Sequence, residues 1–254
     1  MEKFFNRVKI WNEEGIGVIA VDNGEFNRIN RDVLVQLTSA LMLASQDPNV
    51  DKVVITAMGG AYFTAGIDWV NLGDDYDSVR ETVRAIKSLF ALMASSAKPV
   101  FVVLNGSAVG IGMEIALWAD LVIAPPDVYI CYPEAKAGIP PAFGARPLLD
   151  RLDRLTALRM LSGEAAEAPL LAQRGLIHVV PRGNLMGDAK ALVKSLNIPP
   201  LSRRLIHRYV KELDEFEAVY VDALMSRCLA KADRERLLKI VAQEVPKCRA
   251  KFAS

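Results

Sequence analysis

The chain has 254 residues, 52% of them hydrophobic, which suffices for a continuous core in one large domain. With 31 Lys and Arg against 30 Asp and Glu, the net charge of +1 gives no general attraction to nucleic acid or anionic lipid, so neither is expected as a partner. Three cysteines, Cys131, Cys228 and Cys248, odd in number and without metal-ligand spacing, predict free thiols in a reducing compartment. No apolar run approaches the roughly 18 residues that span a bilayer, and the expectation is a cytoplasmic protein without membrane contact or metal.

In chain order, Ile16 to Asp22 reads as a strand and Asn23 to Asn27 as the loop after it. Asn30 is a good N-cap, and Val33, Leu34, Leu37, Leu41 and Ala44 share one helical face until Asp47-Pro48 stops the helix. Lys52 to Ala57 is a buried-type strand. After a Gly-rich turn, Val79, Val83, Ile86, Phe90 and Met93 recur at helical spacing up to Ser95. Phe101 to Asn105, Asp120 to Ala124 and Val128 to Tyr132 are further strands around a helix carrying Glu114, an alternation that implies a layered α/β core. Beyond Pro133 only Gly175 to Pro181 reads as a clear strand; the remainder is helical and heavily charged.

Two glycine turns lie at the ends of strands. Asn105 to Gly112 (NGSAVGIG) leads into a helix, and its small residues let backbone N–H groups at the helix N-terminus face a ligand oxygen. Thr64 to Asp68 (TAGID) is a second such turn, and one N–H from each would make an oxyanion hole. The alternative for both is tight packing without a ligand. Glu114 is the single ionisable residue between Ser107 and Asp120, and a carboxylate in so apolar a stretch costs several kcal/mol unless it is paired or protonated. Glu134 follows Pro133 and precedes the loop Ala135 to Ala145. A Glu in that setting is most often solvent-exposed, but it and Glu114 are placed to face one site.

The run from Lys98 to Pro141, KPVFVVLNGSAVGIGMEIALWADLVIAPPDVYICYPEAKAGIPP, resembles the signature of the crotonase, or enoyl-CoA hydratase, superfamily. Asp22 to Leu34, Ala61 to Val70 and Leu161 to Pro181 are similar to its other motifs, in order. The resemblance implies stacked strand-strand-helix units over about residues 1–195 and a helical region over 196–254 that builds trimers or hexamers. Apolar positions Leu224, Leu229, Leu237, Leu238 and Val241 are expected to serve that assembly. It also implies an acyl-CoA thioester substrate, with coenzyme A part of the substrate and no separate cofactor.

By the same resemblance, the oxyanion N–H groups belong to Ile67 and Ile111, the latter standing where a glycine is usual. Glu114 and Glu134 fill the places of the two hydratase glutamates, Glu114 mainly activating water and Glu134 mainly donating a proton to Cα. Thr64, Ala65, Gly66, Asp68, Trp69, Val70 and Gly110 would line the coenzyme A side of the site, with Arg28 in phosphate contact. Simple enoyl isomerases generally lack the first glutamate, so Glu114 favours hydration over the isomerase alternative. Ala142 stands where some relatives carry Asp and hydratases often carry Gly.

Two remoter readings remain. NGSAVGIG and Tyr132-x-x-x-Lys136, with Asp127 as a ribose contact, resemble short-chain dehydrogenase motifs, although Pro133 spoils the helix that would align Tyr with Lys. A catalytically silent scaffold of the crotonase fold is the other, and the presence of both glutamates opposes it.

Overall fold

The computed structural model describes residues 2–73, 75–228 and 231–249. Its first elements are strands β1 (Glu2–Phe4), β2 (Val8–Glu13) and β3 (Ile16–Val21), helix α1 (Arg31–Gln46), strands β4 (Lys52–Ala57) and β5 (Tyr62–Thr64), and helix α2 (Tyr76–Ser95). There follow β6 (Val100–Val103), β7 (Ser107–Val109), α3 (Ile111–Leu117), β8 (Leu121–Ala124) and β9 (Tyr129–Cys131). The last part holds α4 (Ala145–Arg151), α5 (Arg154–Leu161), β10 (Ala166–Glu167), α6 (Ala168–Gln173), β11 (Ile177–Val179), α7 (Leu185–Ser195), α8 (Pro200–Ile206), α9 (Leu213–Cys228) and α10 (Lys231–Glu244).

The strands form two sheets. The larger runs β1-β2-β3-β4-β6-β8-β11, antiparallel at its first three strands and parallel from β3 onward; the smaller runs β10-β9-β7-β5. Each of the pairs β4/β5, β6/β7 and β8/β9 sends its first strand to the large sheet and its second to the small one. The first two pairs are completed by α2 and α3, which makes them stacked strand-strand-helix units. Burial on both faces explains why the parallel strands read as near-continuous apolar runs. Ile19, Val53 and Val102 face the main core with α1 and α2, whereas Val18, Val54 and Phe101 face a second core closed by Leu185, Ala189 and Val193 of α7.

Local chemistry sets the limits of α1 and the end of α2 as expected. Asn30 Oδ1 accepts from the Val33 N–H at 3.0 Å, the N-cap bond that starts α1. The N-terminal hairpin β1-β2 and the short strands β5, β7 and β10 were not expected from the sequence. Three-residue strands in Gly-rich segments are too short to show an alternating pattern.

The C-terminal helices fold back on the core. Asp120, between α3 and β8, accepts from Arg203 Nε at 2.7 and 2.9 Å, from His207 Nε2 at 3.0 Å and from the Val100 N–H at 2.6 Å. Burial alone would raise the Asp120 pKa, but these donors hold it below its ordinary value. Helix α9 lies along α2, and α10 packs on the 3-10 helix Pro133–Ala137. Leu224, Leu237 and Val241 are buried within this chain. They fill its own core rather than standing ready for assembly, and Leu229 lies outside the described residues. The free-thiol expectation also fails: Cys131 and Cys248 form a disulfide with Cα atoms 6.6 Å apart, because the C-terminal segment is folded against β9. The argument for a reducing compartment falls with it. No helix among the described residues is long and apolar enough to cross a membrane.

Candidate active site

Strands β5, β7 and β9 are parallel neighbours, with Thr64 opposite Ala108 and Val109 opposite Cys131. Their C-terminal ends therefore share one edge, and the next residues of each chain segment meet there: Gly66-Ile67, Gly110-Ile111 and Pro133-Glu134. A Cβ on Gly66 would lie 3.3 Å from Glu134 Oε1 and 3.5 Å from the Val109 carbonyl. On Gly110, whose φ is +57°, a Cβ would clash with Glu134 Oε1, so only glycine lets the turn and the carboxyl share this space. The Ile67 and Ile111 N–H groups border the same point, and neither is donated to a backbone or side-chain acceptor among the described residues.

Glu114 stands in the first turn of α3 and is fully buried. Its Oε1 accepts from the Phe143 and Gly144 N–H groups at 2.9 and 2.8 Å, and its Oε2 has no partner. Those donors come from the loop beyond Glu134, which returns so tightly that a Cβ on Gly144 would lie 2.9 Å from Glu114 Cγ. Burial pushes the Glu114 pKa up to about 8; the two N–H groups oppose the rise and the Glu134 charge adds to it. Glu134 is 1% exposed, contrary to its loop-like sequence setting, because α10 covers the 3-10 helix that carries it. Burial lifts its pKa to about 7, against its own N–H and the Trp69 indole. Tyr132 lies near both carboxyls; burial raises its phenol well above the ordinary value, and its hydroxyl meets Tyr220 Oη at 3.3 Å and the Pro140 carbonyl at 3.2 Å.

The other expected residues divide. Thr64, Ala65, Gly66 and Trp69 are buried, Asp68 is half-buried and Val70 is exposed. The Ala65 N–H is spent on the Phe26 carbonyl and the Asp68 N–H on the Ile29 carbonyl, so these two N–H groups are already engaged. Arg28 is half-buried with its guanidinium 5.4 Å from the Phe26 ring centre. The dehydrogenase reading has no support in the geometry: Lys136 pairs with Glu244 at 2.6 Å, and Asp127 pairs with Arg182 at 2.8 Å. The sequence reading missed Phe143, Gly144 and Arg234. Arg234 of α10 reaches back to the carbonyls of Trp69 at 3.0 Å and Gly73 at 3.2 Å. The glycine at 144 was the one local signal; the others depend on distant segments meeting.

Stacked strand-strand-helix units with two buried carboxyls beside two glycine turns define a crotonase-fold protein. The family model for enoyl-CoA hydratase/isomerase matches residues 12–235, and the chain belongs to that family. It is 30% identical over 150 residues to crotonyl-CoA hydratase of Syntrophomonas wolfei, a match spanning 58% of each chain and so under two thirds of that relative. It is 28% identical over 214 residues to short-chain-enoyl-CoA hydratase of Clostridium acetobutylicum, covering 80% of this chain and 82% of the other. The crystal structure of human mitochondrial delta3-delta2-enoyl-CoA isomerase superposes with a TM-score of 0.84 at 19% identity, covering 95% of this chain and 99% of the other, which shows a shared fold.

Proposed function

We propose that this enzyme is a hydro-lyase that adds water reversibly to a 2-enoyl-CoA to give a 3-hydroxyacyl-CoA. The observation that carries the reading is the pair of buried carboxyls, each with one unengaged oxygen, beside two unspent N–H groups. The thioester oxygen would sit between the Ile67 and Ile111 N–H groups, where preorganised donors meet the enolate charge at no cost of reorganisation. Glu134 lies against the two turns and is therefore nearest the carbon next to the thioester; Glu114 stands farther along α3, toward Cβ. Glu114 takes a proton from water as its oxygen bonds to Cβ, and Glu134 gives its proton to Cα as the enolate collapses.

Burial raises both carboxyls, Glu114 to about 8 and Glu134 to about 7, an order that favours the proton on Glu114 whereas the assigned roles need it on Glu134. The one-unit gap is worth only about 1.4 kcal/mol, so the proton reaches either carboxyl cheaply. Coenzyme A enters as part of the substrate, and the steps need no metal or redox cofactor. The alternative is Δ3,Δ2-enoyl-CoA isomerisation, which needs one carboxyl to move a proton between Cα and Cγ.

Short 2-enoyl-CoA and 3-enoyl-CoA, supplied separately in oxygen-18 water, distinguish the two. The wild type should place solvent oxygen in a 3-hydroxyacyl product from the first and act slowly on the second. Glu114→Gln or Glu134→Gln should slow hydration by roughly 10²–10⁴-fold. Rapid isomerisation of the 3-enoyl thioester without oxygen incorporation from the 2-enoyl one would reject hydration and leave Glu134 as the acid/base.

A further inference from the structure

The chain has three tryptophans, and two of their indole N–H groups are spent: Trp118 Nε1 donates to the Phe143 carbonyl at 2.8 Å and Trp11 Nε1 to Glu13 Oε2 at 3.4 Å. Trp69 Nε1 has no partner among the described residues although its side chain is 2% exposed. A buried indole N–H usually finds an acceptor, and one that does not calls for an explanation. Its surroundings supply one. Trp69 is three residues beyond Gly66, whose Cα lies against the Glu134 carboxyl, and Glu134 Oε2 is likewise buried and unpartnered. The indole acts on that carboxyl as a hydrogen-bond donor does, lowering its pKa, although neither Trp69 Nε1 nor Glu134 Oε2 has a hydrogen-bond partner in place.

The ring is held in place. With Ile67, Leu72, Val83 and Tyr220 it lines a space too small for a water molecule, and Arg234 of α10 fixes the backbone of its turn through the Trp69, Val70 and Gly73 carbonyls.

We propose that the Trp69 indole N–H is the donor that receives the Glu134 carboxylate as its proton leaves for Cα, making Trp69 a positioning residue of the reaction rather than part of the wall around coenzyme A. The proton passes from Glu134 Oε2–H to the substrate carbon, the O–H electron pair stays on Oε2, and the indole N–H closes onto that oxygen. No further reactant is needed. The other groups around Glu134 do not compete for this role. Glu114 from α3 and Tyr132, which follows β9, add negative charge or a hydroxyl already engaged with Tyr220 of α9. Lys136 on the same 3-10 helix is turned to Glu244 of α10, Arg234 is spent on carbonyls, and Asp68 accepts from Asn71 Nδ2 at 2.7 Å.

The inference rests on the hydration reading for its place in the reaction, so one measurement is independent of activity. In nitrogen-15 tryptophan-labelled protein, the Trp69 indole proton, assigned by its loss in Trp69→Phe, should move with pH between 5 and 9. That movement should vanish in Glu134→Gln and persist in Glu114→Gln. In turnover of 2-enoyl-CoA, Trp69→Phe should lower kcat about 10-fold with little change in KM and shift the Glu134 limb of the pH profile to higher pH. An indole resonance indifferent to pH, or one that still titrates in Glu134→Gln, overturns the proposal. If the resonance behaves as expected while no 3-hydroxyacyl product forms, the contact stands and the hydration reading alone fails.

Discussion

Glu114 and Glu134 are withdrawn from water, and burial raises both above the ordinary glutamate value of 4.5, to about 8 and about 7. The folded chain therefore binds more protons than the unfolded one between about pH 4.5 and 8, and folding stability contributed by the pair is complete at the acid end and lost as pH rises through 7 and 8. Each pKa unit is worth about 1.4 kcal/mol, so the site costs the fold several kcal/mol at alkaline pH. Glu114→Gln should flatten the fall in melting temperature between pH 5 and 9 and be relatively more stable at pH 9. An unchanged slope in thermal melts would mean that Glu114 is not a buried, protonated carboxyl. Of the two residues, Glu114 was legible in the sequence because its neighbours Ile115, Ala116, Leu117 and Trp118 leave it no water. Glu134 looked like a loop residue, and its burial is made by a helix about one hundred residues later.

At the scale of elements, the site depends on how the strand ends are tied. The Gly110 N–H donates to the Cys131 carbonyl at 2.9 Å, joining the second glycine turn to β9, and Cys131 is in turn bonded to Cys248. Tyr62 Oη reaches the Val245 carbonyl at 3.3 Å, so the C-terminal segment also touches β5. A disulfide bridging 117 residues stabilises by about 4–5 kcal/mol in the chain-entropy account. Protein purified without reductant and then denatured should show one titratable thiol, Cys228, and Cys248→Ser should melt several degrees lower. Three titratable thiols would show that the bond does not form in solution. Neither this pairing nor β5 and β7 could be read from the sequence: the cysteines are far apart in the chain, and three-residue strands carry no period.

For the whole molecule, the helices α8 to α10 close over the core of their own chain through Asp120, Arg203 and His207 and through Leu224, Leu237 and Val241. Assembly is still expected from the family resemblance, with Leu224, Leu237 and Val241 taken up by this chain's own core and Leu238 half-buried, and light scattering should give the mass of a trimer or hexamer; a monomer active at full rate would refute it. The sequence by itself determined the α/β layering, the limits of α1 and the end of α2, the two glycine turns and the unusual setting of Glu114, because apolar period, capping and steric need for glycine are local properties of the chain, while Glu134 was singled out through the family resemblance. Only the tertiary structure decided that Glu134 is buried, that Phe143 and Gly144 hold Glu114, that Trp69 turns inward and that Cys131 meets Cys248. Each of these is a meeting of segments remote in sequence, fixed by parallel strand register and by helices packed across the sheets, and no local pattern encodes which distant partner arrives.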